Sequence, residues 1–134
     1  MRVLVLLLVL AFNWTAPAFA DGVAAAQSVS QAQEQAFSRD DPAAAYSYAA
    51  PAIQGTFPDV ETFMAMVRNS YAPVYRHKSF EFGEARTADG KIAQRVHIID
   101  ADGVTWEALY TLELQADGSL KITGCMLVKA GQAA

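Results

Sequence analysis

Apolar residues recur every three or four positions in the first half of the chain and every second position in the later half. Val60, Phe63, Met64, Val67 and Tyr71 stand at i, i+3, i+4, i+7 and i+11, which is one face of an α-helix. Residues 23–38 are rich in Ala and Gln and hold no Gly or Pro, a composition that favours a helix. Val29, Ala32, Ala36 and Phe37 are its expected buried stripe. Asp40-Asp41-Pro42 stops that helix and starts a second through Ala43–Tyr48, with an Asp cap and Pro at the first helical position. Pro51 is expected to end it. Asp59 caps a third helix and Pro73 closes it.

The period then changes to two. Strands are predicted over 78–87, 91–100, 104–115 and 119–129, separated by three copies of Ala-Asp-Gly at 88–90, 101–103 and 116–118. A three-residue loop closed by a left-handed Gly pairs Asp100 with Val104, whereas a two-residue loop pairs Ile99 with Trp106. Charge selects the three-residue form. It sets His97 against Glu107 and Lys91 against Glu113 on one face, and Ile98 against Trp106, Val96 against Ala108 and Ile92 against Leu112 on the other. The same rule pairs Phe80 with Ile98, Glu81 with His97 and Phe82 with Val96. In the last hairpin it pairs Leu112 with Ile122, Glu113 with Lys121 and Thr111 with Thr123.

The apolar face so defined holds Phe80, Phe82, Ile92, Val96, Ile98, Trp106, Ala108, Leu112, Leu114, Leu120, Ile122, Met126 and Val128. Only the helices can cover it. The expected fold is α+β: three N-terminal helices packed on a curved four-stranded antiparallel meander sheet, a cone.

Several stretches carry a resemblance: Gln35-Ala36-Phe37 with Asp40-Asp41, Ala49-Ala50-Pro51, Phe63-Met64-Ala65-Met66-Val67, Tyr71-Ala72-Pro73-Val74-Tyr75-Arg76, Leu109-Tyr110-Thr111 and Gly124-Cys125. With them the chain resembles an uncharacterised family of exported bacterial proteins, domain of unknown function 4864. The order of helices then sheet resembles the nuclear-transport-factor-two-like (cystatin-like) cone superfamily. The resemblance implies a cone fold and export, and carries over no catalytic residues. In the wider superfamily the cone often encloses a pocket for small ligands or for isomerase and dehydratase chemistry, and the outer sheet face often dimerises.

The N-terminus changes the picture of where the protein works. A basic Met1-Arg2, an apolar run from Val3 to Phe12 and Ala18-Phe19-Ala20 before Asp21 have the layout of a secretory signal peptide over 1–20. A domain over 21–130 and a disordered tail over 131–134 are expected after it, in the periplasm or outside the cell. With Arg2 removed, the ten basic side chains become nine against fourteen acidic ones, a net of −5. Such a chain lacks the basic patch that nucleic acid or an anionic membrane surface calls for. A lone cysteine, Cys125, cannot form an intramolecular disulfide.

One row of the apolar face breaks the pattern: Glu84, Gln94, Tyr110 and Gly124, side by side across the four strands. A carboxylate, an amide and a phenol on a mostly apolar concave wall suit a small-molecule pocket. Glu84, Gln94, Trp106 and Tyr110 are therefore the candidate ligand-binding residues. A bulge in the first strand would instead turn Glu84 outward. The favoured reading is non-catalytic binding of a small apolar ligand or a partner, with no cofactor, metal site or catalytic residue assigned. The alternatives are a cofactor-free isomerase or dehydratase with Glu84 as base and Tyr110 as donor, and a homodimeric interaction module with a filled core. His97 is expected on the outer face between Glu81 and Glu107, in a charge cluster. His77 is expected as a solvated surface group. Leu109, Cys125, Leu127 and Ile99 are expected to form an outer apolar patch suited to a homodimer.

Overall fold

The computed structural model describes residues 18–131, with side chains from Gly22 onward. The expected signal segment therefore lies almost wholly outside the described residues, as do the last three residues. Among the described residues the order is α1 (Ala18–Ser38), α2 (Pro42–Ser47), α3 (Pro51–Thr56), α4 (Val60–Ser70), α5 (Ala72–Tyr75), β1 (His77–Ala88), β2 (Lys91–Asp100), β3 (Thr105–Leu114) and β4 (Leu120–Lys129). The strands form one antiparallel sheet in the order β1-β2-β3-β4. The fold is α+β, with the helices packed on one face of an open meander sheet. No helix among the described residues is long and apolar enough to cross a membrane.

Two prolines act as starts rather than stops. Pro51 and Pro73 fall in the first turns of α3 and α5, where the missing N–H has no intrahelical partner to lose. The three expected helices thus become five. The caps behave as the sequence predicts: Asp41 accepts from Ala44 N at 3.2 Å and Asp59 from Thr62 N at 2.8 Å. Asp40 ends α1 in the left-handed region at φ 54°. Asp41 N closes back on Ala36 O, and Arg76 Nη1 donates to Phe37 O at 2.8 Å. The last carbonyls of α1 are thereby satisfied.

The central hairpin has the predicted register, with Lys91, Ile92, Val96, His97 and Ile98 opposite Glu113, Leu112, Ala108, Glu107 and Trp106. Each outer hairpin contains a bulge. In the first, Asp89 and Gly90 both take positive φ, a two-residue turn that pairs Ala88 with Lys91. Gly83 and Glu84 then jointly oppose Arg95, and the predicted pairs Phe82–Val96, Glu81–His97 and Phe80–Ile98 resume. In the last hairpin, Leu112–Ile122 and Glu113–Lys121 pair as expected. Thr123 is then an extra residue, so Thr111 meets Gly124 and Tyr110 meets Cys125.

Each one-residue slip exchanges the two faces of its strand beyond the bulge. Cys125 and Leu127 therefore pack toward the core, while Met126 stands 63% exposed. The predicted inward placement of Met126 and Val128, and the outward placement of Cys125 and Leu127, are both reversed. Leu114, expected on the apolar face, is exposed beside its turn.

The core lies between helices and sheet. Phe37, Phe63, Met64, Val67 and Val74 meet Ile92, Val96, Ile98, Ala108, Tyr110, Leu112 and Ile122. On α1 the buried stripe is Ala26, Ser30, Gln33, Ala36 and Phe37. The helix is thus rotated so that two polar residues occupy the centre expected for Val29 and Ala32.

Candidate functional site

The helices do not fill the space they enclose. A cavity of about 380 Å³ lies between α3, α4 and the sheet, within the range of small-molecule sites. Ile53 and Phe57 from the α3 segment, with Met66, Ser70 and Tyr71 from α4 and its C-terminal cap, stand around it with part of their surface exposed. Gln33 and Phe37 of α1, Phe63 and Val67 of α4, Val74 of α5, and Tyr110 and Ile122 of the sheet make the buried wall. Gly124 and Cys125 complete the lining.

The local sequence explains why a gap remains there. α3 has six residues and buries none of them. It is held at its ends rather than along its length: Tyr46 Oη donates to Phe57 O at 2.7 Å and Gln54 Nε2 to Tyr46 O at 3.1 Å. Before α3, the segment at Ala49 forms a parallel bridge to Ile122. Ile122 N donates to Tyr48 O at 2.9 Å and Ala50 N to Ile122 O at 2.7 Å. This segment covers the start of the β4 edge. Tyr71 Oη donates to Cys125 O at 2.8 Å further along the same strand.

Five polar side chains face the cavity: Gln33, Ser70, Tyr71, Tyr110 and Cys125. Gln33 is 5% exposed and its Nε2 donates to Ala45 O at 3.1 Å. Its Oε1 has no partner among the described residues. Tyr110 is 2% exposed, with Phe80 edge-on to its ring at 6.2 Å between centroids. Burial pushes its phenol well up, and the nearby Cys125 and Glu34 act in the same direction. Burial likewise raises the Cys125 thiol to about 12, with the neighbouring Tyr110 hydroxyl acting in the other direction. Tyr71 is raised by burial and then by Cys125. All three groups are therefore uncharged near neutral pH.

Of the four candidate residues, only Tyr110 lines this cavity. Glu84 lies exposed at the β1 bulge, so the expected Glu84–Gln94–Tyr110–Gly124 row is replaced by Ala85–Gln94–Tyr110–Cys125. Glu84 and Tyr110 are not brought together as base and donor. Gln94 is fully buried, but its amide serves the backbone: Nε2 donates to Arg95 O at 2.7 Å and to Gly83 O at 3.0 Å. Its Oε1 accepts from Gln27 Nε2 at 3.3 Å. The bulge turns carbonyls away from the ladder, and Gln94 satisfies one of them. Trp106 sits at the second turn, where Nε1 donates to Asp100 Oδ2 at 2.9 Å.

The histidines occupy different settings. His97 lies on the outer face, with Nδ1 3.0 Å from Glu107 Oε1 and Arg95 Nη1 donating to Oε2 of the same carboxylate at 3.0 Å. Its ring covers the bare backbone of Gly83. His77 is not a solvated group as expected. Its side chain is nearly buried, with Nε2 2.8 Å from Glu34 Oε1 and Nδ1 3.2 Å from both Pro73 O and Val74 O. Both ring nitrogens face oxygen atoms of neighbouring elements.

Sequence reasoning missed Gln33 and Cys125 as cavity residues. Gln33 had a signal, being polar four residues before the buried Phe37, but a Gln-rich helix made it look like surface. Cys125 had none, because a bulge decides its face.

The chain matches the family described as Domain of unknown function (DUF4864) over residues 20–134. It belongs to that family. Comparison with curated proteins and with solved structures gave no significant match.

Proposed function

We propose that this protein binds a small, largely apolar molecule in the cavity between α3, α4 and the sheet, and does not transform it. The observation that carries this reading is a partly open space of about 380 Å³ whose ionisable lining groups, Tyr71, Tyr110 and Cys125, all have raised pKa values. Neutral phenols and a neutral thiol can orient a ligand, but none is poised to abstract a proton at neutral pH. Apolar walls supply the affinity and a few convergent polar groups supply the orientation. The resemblance to the cone superfamily, whose members often hold ligands in this way, points in the same direction. The signal-like N-terminus supports action after export; N-terminal sequencing of the protein from its own host should then begin at Asp21.

The test is a titration with the apolar fluorophore 1-N-phenylnaphthylamine on the wild type and on Ser70→Trp. Ser70 is exposed beside the cavity, so the indole obstructs access with little disturbance of the core. Saturable enhancement that falls at least tenfold in affinity in the variant, at unchanged circular dichroism, supports the reading. Absence of binding, or equal binding by both proteins, refutes it.

A second reading, a homodimer through the outer sheet face, is favoured by the exposed Met126 opposite Leu109. The charges around it are mixed in sign, with Arg95 bonded to Glu107 and Lys91 opposite Glu113, so a second copy meets no uniform repulsion. Only monomer in light scattering at high micromolar concentration would remove it.

A further inference from the structure

Resting on the binding reading above, we infer that the ligand is an uncharged molecule with an apolar body and one hydroxyl group, an alcohol or phenol, held between Gln33 and Tyr110. Gln33 is 95% buried and faces the cavity with its amide nitrogen already donating to Ala45 O. That bond fixes which end of the amide is which and leaves Oε1 as an acceptor with no protein partner among the described residues. That oxygen is not sealed from solvent, since Ser30 Oγ is the one enclosed side-chain atom without a partner among the described residues, so a molecule in the cavity can reach it and donate to it. Tyr110 presents the complementary group, a hydroxyl able to donate, whose neighbour in the cavity is the soft, weakly accepting sulfur of Cys125.

A ligand hydroxyl satisfies both at once, donating to Gln33 Oε1 and accepting from Tyr110 Oη. The other polar headgroups fit less well. A carboxylate finds no Lys, Arg or His in the lining, and would present lone pairs to the Gln33 oxygen. An ammonium finds aromatic faces but no carboxylate in the lining, so its desolvation is offset only by cation–π attraction. An ether can accept from Tyr110 but leaves Gln33 Oε1 bare.

The experiment displaces 1-N-phenylnaphthylamine from the full chain with four probes sharing one apolar body: 1-octanol, octyl methyl ether, octanoate and octyltrimethylammonium. The readouts are the octanol and ether affinities and their ratio in the wild type, in Gln33→Met and in Tyr110→Phe. The inference expects octanol to displace better than octanoate and octyltrimethylammonium, the ratio to shift about tenfold toward the ether in Gln33→Met, and Tyr110→Phe to weaken octanol and ether alike without weakening the fluorophore. Gln33→Met also strips Ala45 O of its donor. If that variant does not fold, Tyr110→Phe, which deletes only a hydroxyl, decides the matter through the joint loss of octanol and ether affinity. An unchanged ratio in Gln33→Met, undiminished octanol affinity in Tyr110→Phe, or stronger displacement by the anion or the cation, overturns the inference while leaving apolar binding intact. If the wild type never binds the fluorophore, the binding reading itself falls, and this inference with it.

Discussion

Replacing Cys125 by Ala should make the protein lose less stability in alkali than the wild type does. Burial raises the thiol from 9.0 to about 12. In the unfolded chain the thiol loses its proton above about pH 9, whereas in the folded chain it keeps it. The unfolded state then binds fewer protons, so stability falls as pH rises, at about 1.4 kcal/mol per unit for one group. The contribution is fully present below pH 9 and declines between 9 and 12. At pH 10.5, one and a half units above the unfolded value, the wild type has lost about 2 kcal/mol through this thiol alone. Tyr110 and Tyr71 titrate in both proteins, so the difference between wild type and variant isolates the sulfur. The assay is urea unfolding of both at pH 8.0, 9.5 and 10.5. The gap measured at pH 8.0, whatever its size from packing, should shift by about 2 kcal/mol in favour of the variant by pH 10.5. A gap that stays constant within about 0.5 kcal/mol would refute the buried, neutral thiol. The same shift predicts alkylation by iodoacetamide at pH 8.5 about a thousandfold slower in the folded protein than in urea.

Three further outcomes are expected. Ser30→Ala should stabilise by about 1 kcal/mol in urea unfolding, because Ser30 Oγ is buried without a partner among the described residues and Ala is the better helix former; a loss of stability would show that the hydroxyl is bonded. Gln94→Leu should destabilise by about 1–2 kcal/mol, since it removes the donor to the part-buried carbonyls of Gly83 and Arg95; a cost under about 0.5 kcal/mol would mean the bulge holds itself. The Asp40 carboxyl is held below the usual range first by Tyr75 and then by Arg76. Tyr75→Phe and Arg76→Ala should each raise its midpoint in an NMR titration, and a midpoint that moves in neither variant would remove the Tyr75–Asp40–Arg76 cluster.

The sequence made the meander legible because its turns carry their own chemistry. Asp100 and Asp117 accept from backbone N–H groups two residues on, and Gly103 and Gly118 take the positive φ that closes a three-residue loop. Register is a property of pairs, and opposite charges facing each other identify the pairs in the central hairpin. Bulges leave a weaker trace. Gly83 relieves the approach of His97 and Gly124 that of Thr111: an added Cβ would lie 2.6 Å from His97 Nε2 and 3.0 Å from Thr111 Oγ1. Gly124, expected in a row with Tyr110, instead marks the residue beside an extra one. Pro51 and Pro73 failed as stop signals for a similar reason. A proline terminates the helix behind it and is equally suited to begin the one ahead, and only the tertiary path decides which occurs.

The two bulges also determine what the cavity can be. In a regular ladder, Glu84 would stand on the inner face and Cys125 on the outer one, giving a carboxylate in the wall and a thiol in water. The slip in β1 removes the only candidate base, and the slip in β4 brings in a sulfur that burial keeps protonated. Both changes lower the charge of the interior. The helical side shows the same trend: Glu34 is turned to His77 at 2.8 Å, leaving uncharged Gln33 as the α1 polar group on the cavity. A site formed in this way discriminates by hydrogen-bond complementarity within an apolar space. Restoring a carboxylate to the wall, as Cys125→Asp would, should therefore weaken an uncharged probe at pH 8 far more than at pH 4, where the new acid is protonated. A variant that binds 1-octanol equally at both pH values would show that charge in the wall is irrelevant to binding, and the neutral-pocket argument would fail with it.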